Sequence, residues 1–221
     1  MPKLCAVVFI EVLFIDDCST DASLSLLEQK LTGQEVKILQ TDNNSGRPAI
    51  PRNIGLENTI CDRVVFLDID DLINPEACWL YRQLADDVII SGIKTAKFTK
   101  VYPWKTYNIP RFLIEMKNPI NLSGSSIAKI YFVSNRFENT ILEDWLVWRG
   151  IKNKYPEAKF IYSNNLQIKY NNNITLSPPK IKQMSRVISC FGFLGFLSYL
   201  LGLALMKLYI LRIKLSTKGV A

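Results

Sequence analysis

Histidine is missing from this chain of 221 residues. Its absence excludes the Ser–His and Cys–His pairs that activate many enzyme nucleophiles. It also excludes every zinc site that depends on imidazole ligands. If the chain is an enzyme that uses a general base, we therefore expect that base to be an aspartate or a glutamate.

Paired cysteines are also missing. The five cysteines are scattered, odd in number and without a C-x-x-C pair, which is typical of ordinary thiols in a reducing compartment. The apolar start at residues 4–15 runs directly into Asp16 and Asp17, with no small-residue cleavage site. We therefore predict no secretory signal.

Negative charge is in deficit, since 20 acidic side chains face 27 basic ones and the net charge is +7. A basic excess favours nucleic acid, an anionic membrane surface or phosphorylated substrates as partners. The excess is concentrated after residue 150, around an apolar stretch, which favours a membrane surface. No nucleic-acid-binding motif is present, so we expect no nucleic-acid partner.

The apolar stretch is a run of twenty uncharged residues at 187–206, VISCFGFLGFLSYLLGLALM. Basic residues flank it on both sides, namely Lys180, Lys182, Arg186, Lys207, Arg212 and Lys214. A run of this length can span a bilayer, and two short helices lying in the cytoplasmic interface would suit two basic flanks equally well. A buried core helix is the remaining alternative.

Strand-like and helix-like segments alternate along the chain. Apolar segments rich in Val, Ile and Phe predict strands, and segments of helical spacing predict helices between them. The predicted strands are 4–15, 36–39, 64–67, 87–90, 97–102, 126–133 and 161–170, and the predicted helices are 22–31, 51–58, 75–84 and 143–154. This alternation predicts an α/β fold with a mostly parallel sheet flanked by helices.

Three carboxylates, Asp68, Asp70 and Asp71, directly follow the apolar strand at 64–67. Carboxylates this close repel one another unless something compensates their charge. Oxygen ligands of this kind suit Mg²⁺ or Mn²⁺, which commonly bridge carboxylates to the phosphates of a substrate. The cluster therefore indicates an enzyme that handles a phosphorylated donor, although a polar turn after a strand has the same pattern.

Four motifs follow one another in the chain. They are EVLFIDDCSTDAS at residues 11–23, NSGRPAIPRNIG at 44–55, FLDIDD at 66–71 and EDW at 143–145. In this order and at this spacing they resemble the family 2 glycosyltransferases with the GT-A fold, over roughly residues 11–180. The segment that begins at 175–177 and includes Lys180 is similar to bacterial members that build surface polysaccharide.

The resemblance implies an inverting transfer of a sugar from a nucleotide diphosphate sugar, most often a UDP-sugar. The nucleotide-sugar-binding residues that it implies are Asp16, Asp17, Arg52, Asn53 and Asp68. It implies Asp70 and Asp68 as ligands of a divalent metal, Mg or Mn. It further implies Asp144 as the general base, with Glu143 orienting it or binding the acceptor.

Each of these residues also has an interpretation without catalysis. Asp17 can cap the helix that follows it, and Arg52 can form a surface salt bridge. Asp144 can be an acid that the dipole of a helix N-terminus stabilises. We expect Trp145 and Trp148 to belong to the core, and we expect residues 121–126 to line the acceptor side.

The implied organisation has two parts. Residues 1–180 would form a GT-A glycosyltransferase domain, and residues 181–221 a membrane-associated tail. The expected partners are the nucleotide-sugar donor, a glycan or lipid-linked glycan acceptor and the surface of the cytoplasmic membrane. The expected location is therefore the cytoplasmic face of that membrane, with the tail either spanning the bilayer or lying on it.

One departure from the family pattern concerns the first strands. Parallel neighbours need a crossover of a dozen or more residues, yet residue 11 opens the second strand directly after the first. Either residues 4–15 form one long strand, or the first ten residues lie elsewhere. This departure leaves open a catalytically impaired, membrane-anchored member that acts as a binding or scaffold protein.

A third function class is a haloacid-dehalogenase-type phosphatase, because Asp68 and Asp70 superficially match its nucleophile motif. Leu72 stands where that motif normally has Thr or Val. That class also gives no role to the acidic pairs at 16–17 and 143–144, so the glycosyltransferase interpretation accounts for more of the chain.

Overall fold

A computed structural model of the chain describes residues 11–73, 81, 87–94, 99–100, 106–118, 120–170 and 180–218. The first part of the predicted strand at 4–15, up to residue 10, and most of the predicted helix at 75–84 lie outside these residues. The two alternatives for the course of the first ten residues therefore stay predictions.

The described N-terminal part is a strand–helix–strand unit. β1 spans Leu13–Asp16, α1 spans Ser23–Leu31 and β2 spans Lys37–Gln40. The two strands pair in parallel, so that Asp16 lies opposite Gln40 at their carboxyl ends. Gly33 adopts a positive φ of 78° just after α1, a conformation that glycine allows at a helix end. This unit matches the predicted order of elements.

The next elements carry the acidic motif. α2 spans Ala49–Asn58, β3 spans Arg63–Val65 and β4 spans Asp71–Ile73. The turn between β3 and β4 therefore holds Asp68 and Asp70. Because β3 is only three residues long, this turn begins earlier than the predicted strand end at residue 67.

Seven of the described strands form a second, mixed sheet. The further elements are β5 (Val88–Lys94), β6 (Thr99–Lys100), β7 (Thr106–Asn108), α3 (Arg111–Met116), β8 (Ser126–Ala128), a 3₁₀ turn (Lys129–Phe132), α4 (Glu143–Lys154) and β9 (Phe160–Tyr170). The strand order is β3-β8-β5-β9-β4, with β6 beside β5 and β7 beside β9. The β5–β9 pair is parallel and the other described pairs of this sheet are antiparallel. The predicted α/β class is confirmed, and the sheet is mixed rather than parallel throughout.

The main core lies between this sheet and the helices α2, α3 and α4. Val88, Leu113, Trp148 and Phe160 are fully buried in it. The Trp148 and Phe160 rings meet edge to face with their centroids 6.3 Å apart, a favoured aromatic geometry. Trp145 is buried as well, so both tryptophans belong to the core, as the sequence predicts.

The C-terminal helical segment α5 spans Lys180–Lys218. It is broken at Gly192, whose φ of 67° and ψ of −174° are not helical. Just before this break the centroid of the Phe191 ring lies 4.9 Å from that of Trp145, and beyond it Gly202 packs on Met116 of α3. One face of α5 is therefore packed on the rest of the chain. The predicted boundary at residue 180 stays a prediction.

The opposite face of α5 is apolar and exposed. Its large exposed hydrophobic side chains are Ile188, Phe193, Leu194, Leu197, Leu200, Leu201 and Leu208. By length and composition alone the helix Ser185–Leu205, with a mean hydropathy of 2.0, can cross a membrane. Core helices of soluble proteins meet the same criterion, so this is weak support for membrane contact.

A variant at Gly202 tests the packing of α5. A Cβ at this position would lie 2.6 Å from Met116 Cβ and 3.0 Å from the Met116 carbonyl oxygen. We expect Gly202→Val to lower the free energy of unfolding by about 1–3 kcal/mol in chemical denaturation, because the overpacked helix must shift. Ala204→Val, on an exposed position of the same helix, is the matched control. Equal stability of the two variants would contradict the described packing.

Candidate active site

A cavity of about 300 Å³ lies where α2, the 66–70 turn, the start of α4 and the start of α5 meet. Its lining residues are Arg52, Asp68, Ile120, Asn121, Leu122, Ser123, Leu142, Glu143, Asp144 and Arg186. Four of the residues singled out from the sequence, Arg52, Asp68, Glu143 and Asp144, are thus brought together, although up to 92 positions separate them in the chain.

Arg52 connects two sides of the cavity. Its guanidinium donates to Glu143 Oε1 at 2.8 Å and to Asp68 Oδ1 at 3.2 Å. The side chains of Arg52 and Glu143 are only 13% and 16% exposed, so this charge-assisted pair is shielded from bulk water. Arg52 is therefore more than the surface salt bridge of the alternative interpretation, since it joins the acidic turn to the start of α4.

Glu143 and Asp144 begin α4, where the helix dipole favours negative charge. The residue before them, Leu142, has a φ of 64°, which a non-glycine residue adopts at a cost of roughly 1–2 kcal/mol. Its carbonyl still accepts the Leu146 N–H at 3.1 Å. The left-handed conformation of Leu142 marks the change from loop to helix, and both acids line the cavity from the first turn of α4.

Asp144 is largely buried and held by two hydrogen bonds. Asn118 Nδ2 donates to its Oδ2, and the Trp145 N–H donates to its Oδ1, each at 2.8 Å. Burial, followed by the charge of Glu143, raises the pKa of Asp144, whereas these hydrogen bonds and Arg52 oppose the shift. A carboxylate with a raised pKa is more basic than an ordinary one, and this suits proton abstraction.

Residues 120–123 form another wall of the cavity. The Asp68 N–H donates to Ser123 Oγ at 3.2 Å, and the Gly124 N–H donates to the Phe66 carbonyl at 2.6 Å. These bonds attach the loop to the end of the β3 segment. Residues 121–123 thus line the same cavity as Asp144, and their place on the acceptor side stays a prediction.

The three neighbouring carboxylates Asp68 and Asp70, in the 66–70 turn, and Asp71, at the start of β4, have different environments. Asp68 is half exposed and bonded to Arg52, whereas Asp70 has no hydrogen bond or ion pair with the described residues. Asp71 is only 5% exposed, and the Ser123 side chain is the hydrogen-bonding group that opposes the rise of its pKa. Burial, with the nearby charges of Asp68 and Asp70, raises its pKa to about 6.

Asp16 and Asp17 do not line the cavity, and both carboxylates accept hydrogen bonds from neighbouring residues. Asp16 accepts from the Ser19 N–H at 3.0 Å, and bonds from Ser19 hold its pKa below the usual value. Asp17 accepts from Thr41 and from the backbone and hydroxyl of Ser45. Asp17 therefore fixes the loop after β2, and the nucleotide-binding role of both residues stays a prediction.

Asn53 supports the scaffold of the site. Its Nδ2 donates to the Phe137 carbonyl at 2.8 Å, and its Oδ1 accepts from the Phe137 N–H at 3.0 Å. Both polar groups of the side chain are thus bonded to the segment that precedes α4. This arrangement fits a residue that holds α2 in place, and its direct contact with a nucleotide sugar stays a prediction.

Sequence reasoning missed Asn118, Ser123 and Arg186 as individual site residues. Asn118 and Ser123 carry no motif, and their contacts with residues 144 and 68 join distant segments of the chain. Arg186 was assigned only to the basic flank of the apolar run. Nothing in the sequence around Arg186 indicates that it lines the same cavity as Asp144.

Comparison with known proteins identifies relatives of the sequence. The profile of glycosyl transferase family 2 matches residues 8–125. The poly(ribitol-phosphate) beta-N-acetylglucosaminyltransferase TarS of Staphylococcus aureus is 42% identical over 137 residues, covering 55% of this chain and 24% of TarS. The poly(ribitol-phosphate) beta-glucosyltransferase of Bacillus spizizenii is 38% identical over 140 residues, covering 61% and 21%. The chain thus spans between a fifth and a quarter of the length of these relatives.

Solved structures share the fold. The crystal structure of S. aureus TarS 1–349 in complex with UDP-GlcNAc has a TM-score of 0.58 at 18% identity, covering 80% of this chain and 57% of that one. GalNAc-T7 with UDP, GalNAc and Mn²⁺ has a TM-score of 0.53 at 12% identity, covering 72% and 37%. At these identities the likeness concerns the fold, which is the expected GT-A type. Because the profile match covers more than half of its residues, the chain belongs to glycosyl transferase family 2.

Proposed function

We propose that this chain is an inverting glycosyltransferase that moves a sugar from a UDP-sugar to a hydroxyl of a cell-surface polymer or a lipid-linked precursor of it. The observation that supports this most strongly is the buried, basic carboxylate of Asp144, which lines one cavity together with Arg52 and Asp68. The family of the chain and the UDP-GlcNAc complex of TarS support a nucleotide-sugar donor.

Asp144 is the proposed general base. An oxygen of its carboxylate accepts the proton of the acceptor hydroxyl while the hydroxyl oxygen attacks the anomeric carbon of the donor. The bond between that carbon and the diphosphate oxygen breaks, and the nucleotide diphosphate leaves with the electron pair. Each carboxylate oxygen has two lone pairs, so the bonds from Asn118 and Trp145 leave acceptor capacity at both oxygens.

Glu143 and Arg52 are positioning residues in this proposal. Glu143 is held by Arg52, and its negative charge helps to keep the pKa of Asp144 raised. Arg52 in turn donates to Asp68, the residue proposed to lie beside the donor ribose. The pair fixes the distance between the proposed donor side and the base, and a reaction between two bound substrates depends strongly on that distance.

Asp70 and Asp68 would hold the proposed Mg²⁺ or Mn²⁺. These two ligands suit such an ion, because both are carboxylates. Asp70 forms no hydrogen bond or ion pair with the described residues that would compete with the metal. Among the described residues no group of three or more acidic, cysteine or histidine side chains could hold a metal ion by itself, so the diphosphate and water would complete the coordination. When bound, the cation would neutralise charge on the departing diphosphate.

Asp144→Asn tests the proposed base directly. The amide keeps the shape of the side chain but cannot accept the proton, so we expect sugar transfer to fall by roughly 10²- to 10⁴-fold. Binding of the UDP-sugar, measured by calorimetry, should remain unchanged. A variant with near wild-type turnover would exclude Asp144 as the base. Wild-type protein that binds the UDP-sugar but never transfers it would instead favour the scaffold alternative.

The pH dependence of kcat/KM follows from the raised pKa of Asp144. The base must be ionised, so activity should be lost as the pH falls through this raised pKa, above the range of an ordinary aspartate. Arg52 lowers the pKa of Asp144, and Arg52→Gln should therefore move the acid limb to higher pH. Arg111→Gln, which removes a half-exposed guanidinium elsewhere, should leave the midpoint in place. An unmoved midpoint in Arg52→Gln would contradict the described electrostatics.

We further propose that α5 binds the anionic surface of the cytoplasmic membrane through its exposed apolar face. One face of the helix is already packed on Met116 and Trp145, and this packing favours a helix in the interface over one that spans the bilayer. The break at Gly192 divides the segment into two shorter helices. The basic residues at both ends of the apolar run complement anionic lipid headgroups.

Two matched charge insertions test this membrane contact. Leu194 and Ile60 are both 80% exposed, so neither substitution should unfold the chain. We expect Leu194→Glu to weaken binding to phosphatidylglycerol-containing vesicles by about tenfold or more in cosedimentation. The substitution places a carboxylate where an apolar side chain would enter the membrane interface. Ile60→Glu should bind as the wild type does. Equal vesicle binding by both variants, or self-association of the wild type through this face, would contradict the proposal.

A further inference from the structure

The first half of α5 contacts the chain on both sides of the proposed base. The Cys190 thiol donates to the carbonyl of Ile141, shortly before Asp144 in the chain, at 3.3 Å. Burial raises the pKa of Cys190, so the thiol keeps the proton that it donates. The ring of the next residue, Phe191, meets that of Trp145 edge to face with the centroids 4.9 Å apart, a favoured aromatic geometry.

Trp145 is fixed by contacts with three helices. Its indole N–H donates to the Ile114 carbonyl on α3 at 2.6 Å. The guanidinium carbon of Arg149 on α4 lies 4.8 Å from the Phe191 ring centroid and 6.0 Å from that of Trp145, within the range of a cation–π attraction. Arg149 Nε also donates to Glu115 Oε2 on α3 at 2.9 Å. The Phe191 ring therefore joins α5 to a contact that already links α3 and α4.

Two glycines of α5 make room for the Phe191 ring. Gly192 has a φ of 67° and breaks the helix directly after Phe191, in a conformation that residues with a Cβ rarely adopt. Gly195 lies so close that a Cβ there would collide with the Cβ of Phe191. The glycines thus permit the course of α5 that places this ring on Trp145.

Both hydrogen-bond donors of Asp144 belong to segments that α5 covers. The Trp145 N–H donates to Oδ1 of Asp144, and Asn118 donates to Oδ2. Trp145 lies under the Phe191 ring. Asn118 follows α3 just after Met116, on which Gly202 of α5 packs. A displacement of α5 would therefore move both donors and the carboxylate that they hold.

The charged groups that face Asp144 come from every element around the cavity. They are Glu143 on α4, Arg52 on α2, Asp68 in the 66–70 turn and Arg186 on α5. Burial is the largest cause that raises the pKa of Asp144, ahead of the charge of Glu143. Water that enters beside a loosened Trp145 would favour the ionised carboxylate and lower this pKa.

We propose that Phe191 is a positioning residue for the proposed base. Its ring holds Trp145, and through Trp145 it keeps the Asp144 carboxylate in its place at the cavity. α5 is then part of the catalytic unit, in addition to its proposed contact with the membrane. This inference rests on the proposed glycosyltransferase function and concerns the same site.

The first test separates turnover from donor binding. Wild-type protein, Phe191→Ala and Leu205→Ala are compared in transfer from UDP-GlcNAc to a synthetic ribitol phosphate oligomer, which serves as the acceptor probe. Leu205 packs on the main core from the same helix, so its truncation is the matched control. We expect Phe191→Ala to lower kcat by about tenfold or more, because the base is misplaced. The KM for UDP-GlcNAc and the affinity for UDP should stay unchanged, and Leu205→Ala should keep the wild-type kcat.

The second test follows the Asp144 carboxyl directly and needs no acceptor. An NMR titration of ¹³C-labelled aspartate side chains reports its midpoint, and Asp144→Asn identifies its signal. We expect the midpoint to lie at lower pH in Phe191→Ala than in the wild type or Leu205→Ala, because hydration favours the charged form. Gly195→Ala, which displaces the ring without shortening it, should have the same effect. Phe191→Leu keeps an apolar side chain and should recover part of the kcat and of the midpoint.

The outcomes distinguish this inference from the proposed function. If Phe191→Ala and Leu205→Ala have the same kcat and the same midpoint, the inference is overturned and the proposed function stands. The inference also fails if Phe191→Ala weakens UDP binding as much as it lowers kcat, because the ring would then support the cavity in general. Absence of UDP binding by the wild type would overturn the proposed function and, with it, this inference.

Discussion

The candidate site depends on one guanidinium that holds three distant segments together. Arg52 on α2 donates to Asp68 in the turn after β3 and to Glu143 at the start of α4. The pair with Glu143 is largely buried, so removing Arg52 would leave an uncompensated carboxylate in a poorly solvated place, which is strongly destabilising. The same bonds fix where Asp68 lies relative to Asp144. One interaction thereby sets both the stability of the cavity and its chemistry.

The surrounding fold makes this interaction rigid. Asn53, next to Arg52, is bonded to the backbone of Phe137 through both of its polar groups. Leu142 adopts a left-handed conformation just before the two acids. Backbone strain of this kind persists only where the surrounding structure holds the residue in place. Asn118 then holds the carboxylate of Asp144. The acids are thus presented by regular elements that are bonded to one another, as a preorganised site requires.

Local sequence patterns predict several residues of this site. The spacing that predicts a helix at 143–154 agrees with α4, and the acidic pair at its start lines the cavity. The loop predicted on the acceptor side also lines it. Contacts between distant segments could not be predicted from local patterns. The bond from Asn118 to Asp144 and the position of Arg186 depend on how α3, α4 and α5 pack. The mixed sheet was missed for a similar reason, since strand direction follows from the connections between strands rather than from their composition.

In the proposed function Asp144 faces the sugar of a nucleotide donor whose diphosphate lies by the 66–70 turn. A crystal structure of the chain with Mn²⁺ and a non-hydrolysable UDP-sugar analogue tests it most directly. We expect the anomeric carbon in the cavity lined by Asp144 and Arg52, and the diphosphate beside Asp68 and Asp70. A nucleotide bound elsewhere on the molecule, with no sugar facing Asp144, would contradict it.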